Sequence, residues 1–141
     1  MAKLKTYDAG DVSVVIGTRA LSGLAEGTFV TVARAEQTFT KVVGADGEVT
    51  RSKTNNKSGT YEITLLQGSS DNAFLSALHL ADENTGAGIF PAGVKDNSGS
   101  SLHFGQQCWI QKPADAPYGR DAAERVWTIE IADMETFIGG N

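Results

Sequence analysis

Apolar and polar residues alternate along most of this chain, and that alternation predicts β-strands. The clearest segment is 125–132, where Trp127, Ile129 and Ile131 would face a core and the residues between them would face outward. The same period of two recurs in short segments separated by turn residues, at 11–16, 27–34, 38–43, 60–65, 89–94 and 101–111. Many short strands of this kind predict an antiparallel β-sandwich or partial barrel.

One segment after Gln67 changes to helical spacing. Large apolar residues recur there every three or four positions, at Phe74, Leu75, Leu78 and Ala81. The polar residues on the other side are expected to face outward, namely Asp71, Asn72, Ser76 and His79. We therefore predict one short α-helix over residues 71–81, docked on the sandwich because so short a helix is not stable alone. Since the chain has no linker or internal repeat, it is predicted to be a single domain over residues 1–141.

The strand-like segments 38–43 and 60–65 are expected to pair as a hairpin, and they flank a polar insert, residues 44–59. Its only large apolar residue is Val49, and its charged residues are Asp46, Glu48, Arg51, Lys53 and Lys57. Asp46-Gly47 would suit a two-residue hairpin turn, but the insert is much longer than such a turn requires. Ordering about 15 residues costs roughly 1 kcal/mol or more for each residue, and this insert has little to bury. We therefore expect a long loop that is either mobile in a monomer or ordered by a partner.

The overall charge argues against a protein that binds nucleic acid. The chain has 12 Lys and Arg residues against 17 Asp and Glu, a net charge of −5, and no basic cluster that would neutralise phosphates. No apolar run follows the lysines of the N-terminus, so no signal peptide is expected. No stretch approaches the roughly 18 apolar residues of a membrane span. These features predict a soluble protein made in a reducing cytoplasm, with no membrane binding.

Residues that could perform catalysis or bind a metal are few. His79, His103 and Cys108 are the only histidines and the only cysteine, and their spacing fits neither a zinc site nor a Cys-His nucleophile. The sequence contains no phosphate-binding loop and no nucleophile elbow. Cys108 is expected to be a small buried hydrophobe, and Trp109 and Trp127 are expected to lie in the core. The sequence therefore predicts no cofactor and no enzyme activity.

Five segments, taken in order, resemble those of a known family of structural proteins. They are VGADGEVTR, SGTYEITLLQ, GIFPAGVKDNSGSSL, QCWIQKP and RVWTIEIADME. Together they make the chain, from about residue 11 to residue 138, similar to the tail tube proteins of contractile-tailed (myovirus-type) bacteriophages.

This resemblance implies a structural subunit and not an enzyme. Proteins of this family are β-sandwiches with a docked helix that form hexameric rings, and the rings stack into a hollow conduit for DNA inside a contractile sheath. The implied partners are other copies of the chain, the tail sheath protein, the baseplate or tail-initiation proteins and the tail-terminator protein. The tape measure protein and DNA would occupy the lumen transiently. The implied location is the tail of the virion, assembled in the cytoplasm of the bacterial host.

The resemblance also implies roles for particular residues. The insert 44–59 would reach the adjacent ring, through a ring-stacking contact made by Asp46, Gly47, Glu48, Arg51, Lys53 and Lys57. Polar residues of the following strand would line the lumen, and the candidates are Thr60, Glu62 and Thr64. The N-terminal arm 1–10 and the C-terminal tail 133–141 would contact neighbouring subunits or the sheath.

Three alternative functions predict different features of the chain. A tube protein of a phage-derived contractile injection system would be built alike but would carry no DNA. A monomeric ligand-binding β-sandwich would expose aromatic residues on one face and would not self-assemble. A small hydrolase is disfavoured because the sequence lacks a nucleophile with its base.

Overall fold

The computed structural model describes residues 3–140, which form an antiparallel β-structure with one α-helix packed against it. In chain order the elements are β1 (Val12–Ile16), β2 (Arg19–Ala20), β3 (Val30–Arg34), β4 (Phe39–Val43), β5 (Val49–Lys53), β6 (Gly59–Leu65), α1 (Asp71–Thr85), β7 (Phe90–Asp96), β8 (Leu102–Ile110), β9 (Arg125–Ile131) and β10 (Met134–Phe137). The predicted fold class, mainly β with one docked helix, is therefore confirmed.

Most of the strands belong to one sheet with the order β2-β1-β7-β8-β9-β6-β3, and β10 pairs with β8 beside this path. The long strand β8 changes partner along its length, because its first half pairs with β10 and its second half with β9. A register shift between β7 and β8 marks a bulge opposite this change, and Gly105 lies there. A Cβ on Gly105 would overlap the Ile131 side chain, so the close approach of β8 and β9 requires glycine.

The core lies between the inward faces of the strands and one side of α1. Trp127, Ile129 and Ile131 of β9 point into it, which confirms the inward positions predicted for this strand. Cys108 is also buried, as predicted. The remaining large core side chains are contributed mainly by Val14, Ile16, Tyr61, Ile63, Leu65, Leu75, Phe90, Val94, Ile110 and Met134.

Trp109 was predicted to lie in the core, and this prediction is wrong. Its side chain is 36% exposed on the outer face of β8, between the buried residues Cys108 and Ile110. Successive side chains of a strand point to opposite faces, so two inward neighbours force Trp109 outward.

The helix α1 is longer than predicted, because it ends at Thr85 and not at Ala81, and Gly86 caps it. Gly86 adopts a left-handed conformation (φ 71°), and its N–H donates to the Asp82 carbonyl, which is a common way for a helix to terminate. Within residues 3–140 no helix is both long and apolar enough to cross a membrane.

Two polar residues at the start of α1 face inward, which corrects the outward orientation predicted for them. The Asp71 carboxylate is fully buried and accepts hydrogen bonds from Arg19 Nε and from the Ser22 backbone N–H, both at 2.6 Å. Asn72 accepts a 3.0 Å hydrogen bond from the indole N–H of Trp127. Buried polar groups are stable when they are paired in this way, and the partners lie far away in sequence.

The predicted arm and tail differ from each other in the structure. The described part of the N-terminal arm 1–10 has no regular structure before a short 3₁₀ helix, Ala9–Asp11. The predicted tail 133–141, in contrast, contains strand β10. The first residue of this strand, Met134, is fully buried. Residues 1, 2 and 141 of these segments lie outside the described residues.

The insert 44–59 is not a long loop, which corrects the predicted pairing of its flanking strands. Strand β5 lies inside the insert and pairs with β4, so the two form a separate two-stranded sheet. β6, the strand predicted to pair with β4, instead lies between β3 and β9. The local partner wins because closing a short turn costs less chain entropy than closing a long one.

Candidate assembly surfaces

The hairpin β4–β5 closes through a compact turn at residues 44–48. The Gly44 N–H donates to the Glu48 carbonyl at 2.7 Å, and the Glu48 N–H donates to the Asp46 carboxylate at 3.1 Å. Gly47 has φ 89°, a conformation that a side chain would strain. Asp46-Gly47 is therefore the turn of this hairpin, and it places two carboxylates, Asp46 and Glu48, at the hairpin tip.

One face of the hairpin combines basic and apolar side chains, and we call it the basic hairpin face. In order from the tip to the base, cross-strand pairing places together Val43 with Val49, Lys41 with Arg51, and Phe39 with Lys53. The opposite face carries only small, uncharged or aliphatic side chains, those of Thr40, Val42, Thr50 and Ser52. Charge is therefore confined to one side of the hairpin and to its tip.

Neither strand of the hairpin pairs with a described strand of its subunit outside the hairpin. All ten strand residues are exposed, and Val42, Val43 and Val49 are each more than half exposed. Lys41 and Arg51 lie directly opposite each other, and like charges in such a pair are destabilising. Only a cation–π contact, with Arg51 4.0 Å from the Phe39 ring centre, offsets this repulsion. Such a surface would be stabilised by an acidic partner.

The residues predicted to make the stacking contact lie in three places. Asp46, Gly47 and Glu48 form the tip. Arg51 and Lys53 lie together on the basic hairpin face. Lys57 lies at the root, where its carbonyl accepts a 2.8 Å hydrogen bond from the Met134 N–H. Sequence reasoning missed Lys41, although the alternation of Phe39, Lys41 and Val43 was a signal that all three share a face.

The residues predicted to line a lumen share one outer face of the sheet, which we call the polar sheet face. Strand β6 lies between β3 and β9, so its outward residues are flanked on both sides. The polar sheet face comprises Thr31, Thr60, Glu62, Thr64, Thr128 and Glu130, and the same face also carries the apolar residues Ala33, Val126 and Trp109. It contains two glutamates and no Lys or Arg.

A second surface, the outer groove, lies across the outward side of β1, β7 and β8. It has a volume of about 440 Å³ and is lined mainly by apolar groups, including Val15, Gly93, Leu102 and Phe104. Leu102 and Phe104 are 48% and 41% exposed. Gly93 has no side chain to fill the space beside Phe104. The groove is therefore an open apolar depression.

The outer groove continues into a smaller acidic cleft that shares Phe104 with it. The cleft has a volume of about 200 Å³ and is lined by Gln106, Gln107, Asp133 and Glu135. Glu135 of β10 lies directly opposite Phe104 of β8. Leu102 is flanked by Lys95 of β7 and by the exposed Phe137 of β10. Along β8 this surface thus runs from apolar, at Leu102, to acidic, at the cleft beside Phe104.

Burial shifts the pKa of three groups, Cys108, Tyr61 and His103, toward the neutral form. Burial raises the pKa of the Cys108 thiol to about 11, so it is a poor nucleophile. Burial also raises the pKa of Tyr61, whose hydroxyl has no hydrogen-bond partner. His103, whose Nδ1 contacts the Thr136 hydroxyl, has its pKa lowered by burial. Within residues 3–140 no group of three or more His, Cys, Asp or Glu side chains is arranged to hold a metal ion.

Two solved structures have a similar fold. The structure is similar to the anti-feeding prophage cap (AFP tube terminating cap), with a TM-score of 0.64 and 8% identity over 97% of this chain and 94% of that one. It is also similar to the PVC sheath/tube terminator of an extracellular contractile injection system in the extended state, with a TM-score of 0.65 and 7% identity over 97% of this chain and all of that one. At these identities the likeness concerns the fold, which is one used by tube-terminating proteins.

Sequence comparison identifies the family. The family model described as bacteriophage PhiTE tail tube protein matches residues 5–139. Structural protein ORF10 of Pseudomonas phage KPP10 is 32% identical over 147 residues, which cover 99% of this chain and 85% of that protein. The chain therefore belongs to the PhiTE tail tube protein family. It is a structural component of a phage virion and not an enzyme, as the sequence predicted.

Proposed function

We propose that the chain is the repeating subunit of a phage tail tube, in which hexameric rings stack into a hollow conduit for DNA inside a contractile sheath. The observation that carries this proposal is the hairpin β4–β5, whose ten exposed strand residues pair with no other strand of the subunit. A lone two-stranded hairpin is marginally stable at best in water. Contact with a copy in the adjacent ring would stabilise it. The stacking contact is made by Asp46, Gly47, Glu48, Arg51, Lys53 and Lys57, with Lys41 added.

The polar sheet face lines the lumen in this proposal, with Thr60, Glu62 and Thr64 at its centre. Its charged side chains are the carboxylates of Glu62 and Glu130. Because nonspecific binding of DNA depends on Lys and Arg that neutralise phosphates, a face of this composition would not retain DNA. A lumen of this kind would let the genome slide through the tube.

Ring closure is assigned to strand β3 in the same proposal. β3 lies at the end of the sheet, and one of its edges pairs with no other strand among the described residues. An open edge of this kind is a template for pairing with another chain. Since identical head-to-tail contacts close into a ring when the rotation per subunit allows it, pairing at this edge would generate a continuous barrel without free edges.

The wider set of partners follows from a tube of this kind. We expect contacts with the tail sheath protein on the outside of the tube, with baseplate or tail-initiation proteins at one end and with the tail terminator at the other. The tape measure protein and DNA would occupy the lumen transiently. Assembly would take place in the cytoplasm of the bacterial host. The matched family and the phage relative favour this role over that of a tube in a phage-derived injection machine.

Negative-stain electron microscopy of the purified protein at increasing concentration tests the proposal. We expect rings or hollow tubes of uniform width, and small monodisperse particles at every concentration would contradict self-assembly. The stacking contact is tested by reversing two charges in the variant Arg51→Glu/Lys53→Glu. This variant should remain folded but should not extend into tubes.

A matched control is provided by Lys112→Glu/Arg120→Glu, which makes the same change in net charge in an exposed loop. The control should form tubes of normal length. Normal tube length in Arg51→Glu/Lys53→Glu would show that the hairpin does not mediate stacking.

A further inference from the structure

The charge of the chain is unevenly divided between the hairpin and the rest of the subunit. The hairpin, residues 39–53, carries three of the 12 basic residues and two of the 17 acidic ones, a net charge of +1. The rest of the chain carries nine basic and 15 acidic residues, a net charge of −6. The hairpin of one copy is therefore attracted to the body of another.

The order of chemical groups along the hairpin matches the order along the outer groove. From its tip, the hairpin presents carboxylates, then the Val43–Val49 pair, then the Lys41–Arg51 pair, and last Lys53. Along β8 the groove presents the apolar Leu102, with Lys95 of β7 beside it, and then Phe104 with the acidic cleft of Glu135 and Asp133. The apolar-then-basic order on the hairpin therefore matches an apolar-then-acidic order along the groove.

The spacing of these groups also agrees. Same-face residues on a strand are about 7 Å apart. Val43 and Lys41 are separated by one such step on the hairpin, and Leu102 and Phe104 by one step on β8, where Glu135 of β10 faces Phe104. With Val43 placed over Leu102, Lys41 and Arg51 therefore reach Glu135.

We infer that the outer groove and the acidic cleft form the receptor for the basic hairpin face of a second copy of this chain. The inference rests on the proposed stacking role of the hairpin and adds to it the surface on which the hairpin docks. Docking would cover exposed apolar groups on both sides, and it would pair Lys41 and Arg51 with carboxylates, removing their mutual repulsion.

Cross-linking between chains tests the position of the contact. Val43→Cys chains are mixed with size-tagged Leu102→Cys chains under assembly conditions and oxidised, and the products are separated on a non-reducing gel. The native Cys108 is buried and its thiol has a raised pKa, so it can remain in place. We expect a mixed dimer of intermediate size, since a disulfide requires Cα atoms within about 7 Å.

The matched control is Val42→Cys, which lies next to Val43 but on the opposite face of the hairpin. It should yield no mixed dimer with Leu102→Cys. Equal cross-linking from both hairpin positions, or no cross-linking from Val43→Cys in assembled material, would overturn the inference. A Leu102→Cys thiol that still reacts with a soluble reagent inside tubes would also overturn it, because the groove would then be open for another occupant such as the sheath.

Charge exchange separates failure of the receptor from failure of the stacking proposal. Lys41→Glu/Arg51→Glu should block tube growth, as should Asp133→Lys/Glu135→Lys, and the four changes in one chain should restore tubes. If the hairpin variant assembles like the wild type, the stacking proposal itself is wrong. If the hairpin variant is blocked but the four changes together restore nothing, the hairpin stacks on a different surface and only the receptor is wrong.

Discussion

Excision of the hairpin should separate folding of the subunit from assembly of the tube. Residues 36–56 can be replaced by Asn-Gly, which leaves the 3.0 Å hydrogen bond from the Ala35 N–H to the Ser58 carbonyl and the 2.8 Å bond that Lys57 accepts from Met134. Because every residue of the removed strands is exposed and none belongs to the core, excision takes no side chain out of the core. The variant should therefore fold.

The expected effect on stability follows from loop closure. The connection between Ala35 and Ser58 shortens from about 22 residues to about three, nearly three halvings, and each halving is worth about 0.6 kcal/mol. The isolated subunit should thus be unchanged or more stable by up to about 1.5 kcal/mol. The hydrogen bonds lost with the hairpin, such as Thr54 Oγ to Glu36, are exposed and are replaced by bonds to water.

Urea unfolding, followed by the fluorescence of the buried Trp127, measures this free energy. Both proteins are compared at a concentration at which neither assembles, since association adds to apparent stability. Electron microscopy at high concentration should show tubes for the wild type and none for the variant. A loss of more than about 1 kcal/mol of stability, well outside the loop-closure estimate, would refute the reasoning, because the hairpin would then pack on its own subunit.

Two further predictions concern the body of the subunit. Asp71→Asn should lower the free energy of unfolding by about 2–4 kcal/mol, because it removes charge-assisted hydrogen bonds from Arg19 and Ser22 at a fully buried site. A loss below about 1 kcal/mol in urea unfolding would contradict this account of the site. The pKa of His103 in the folded protein lies below its ordinary value of 6.5, so the unfolded chain binds the proton more tightly. The contribution of His103 to thermal stability should therefore be constant above about pH 6.5 and should fall as the pH drops below 6.5. His103→Gln should flatten this dependence, and an unchanged slope in that variant would assign it to other groups.

Local patterns in the sequence were sufficient for most of the strands and for the fold class. Strand β9 was predicted correctly because alternation over seven residues fixes which side faces the core. The same rule, applied to Cys108 and Ile110 together, would have predicted an exposed Trp109. Residue type alone suggested a buried tryptophan, but periodicity determines the side of a strand on which a residue lies.

The errors at α1 and at the insert have a different origin. Asp71 faces inward because Arg19, 52 positions away, supplies a partner that no local pattern reveals. Two segments could pair with β4, the nearby β5 and the more distant β6. The turn at Asp46-Gly47 favours pairing with β5. The sequence did identify the charged residues of the hairpin other than Lys41, and the shared face of Thr60, Glu62 and Thr64. It could not identify the outer groove, because β1, β7, β8 and β10 are brought together only by the fold.

The attachment of the hairpin has a mechanical consequence. Short segments without regular structure join it to β3 and β6, and its two strands pair with no other strand among the described residues. The body is therefore stiff, while its projecting element is compliant. A filament held together through such elements would concentrate elastic strain at the joints between successive rings. It could flex there under load while the continuous β-structure of each ring stayed intact.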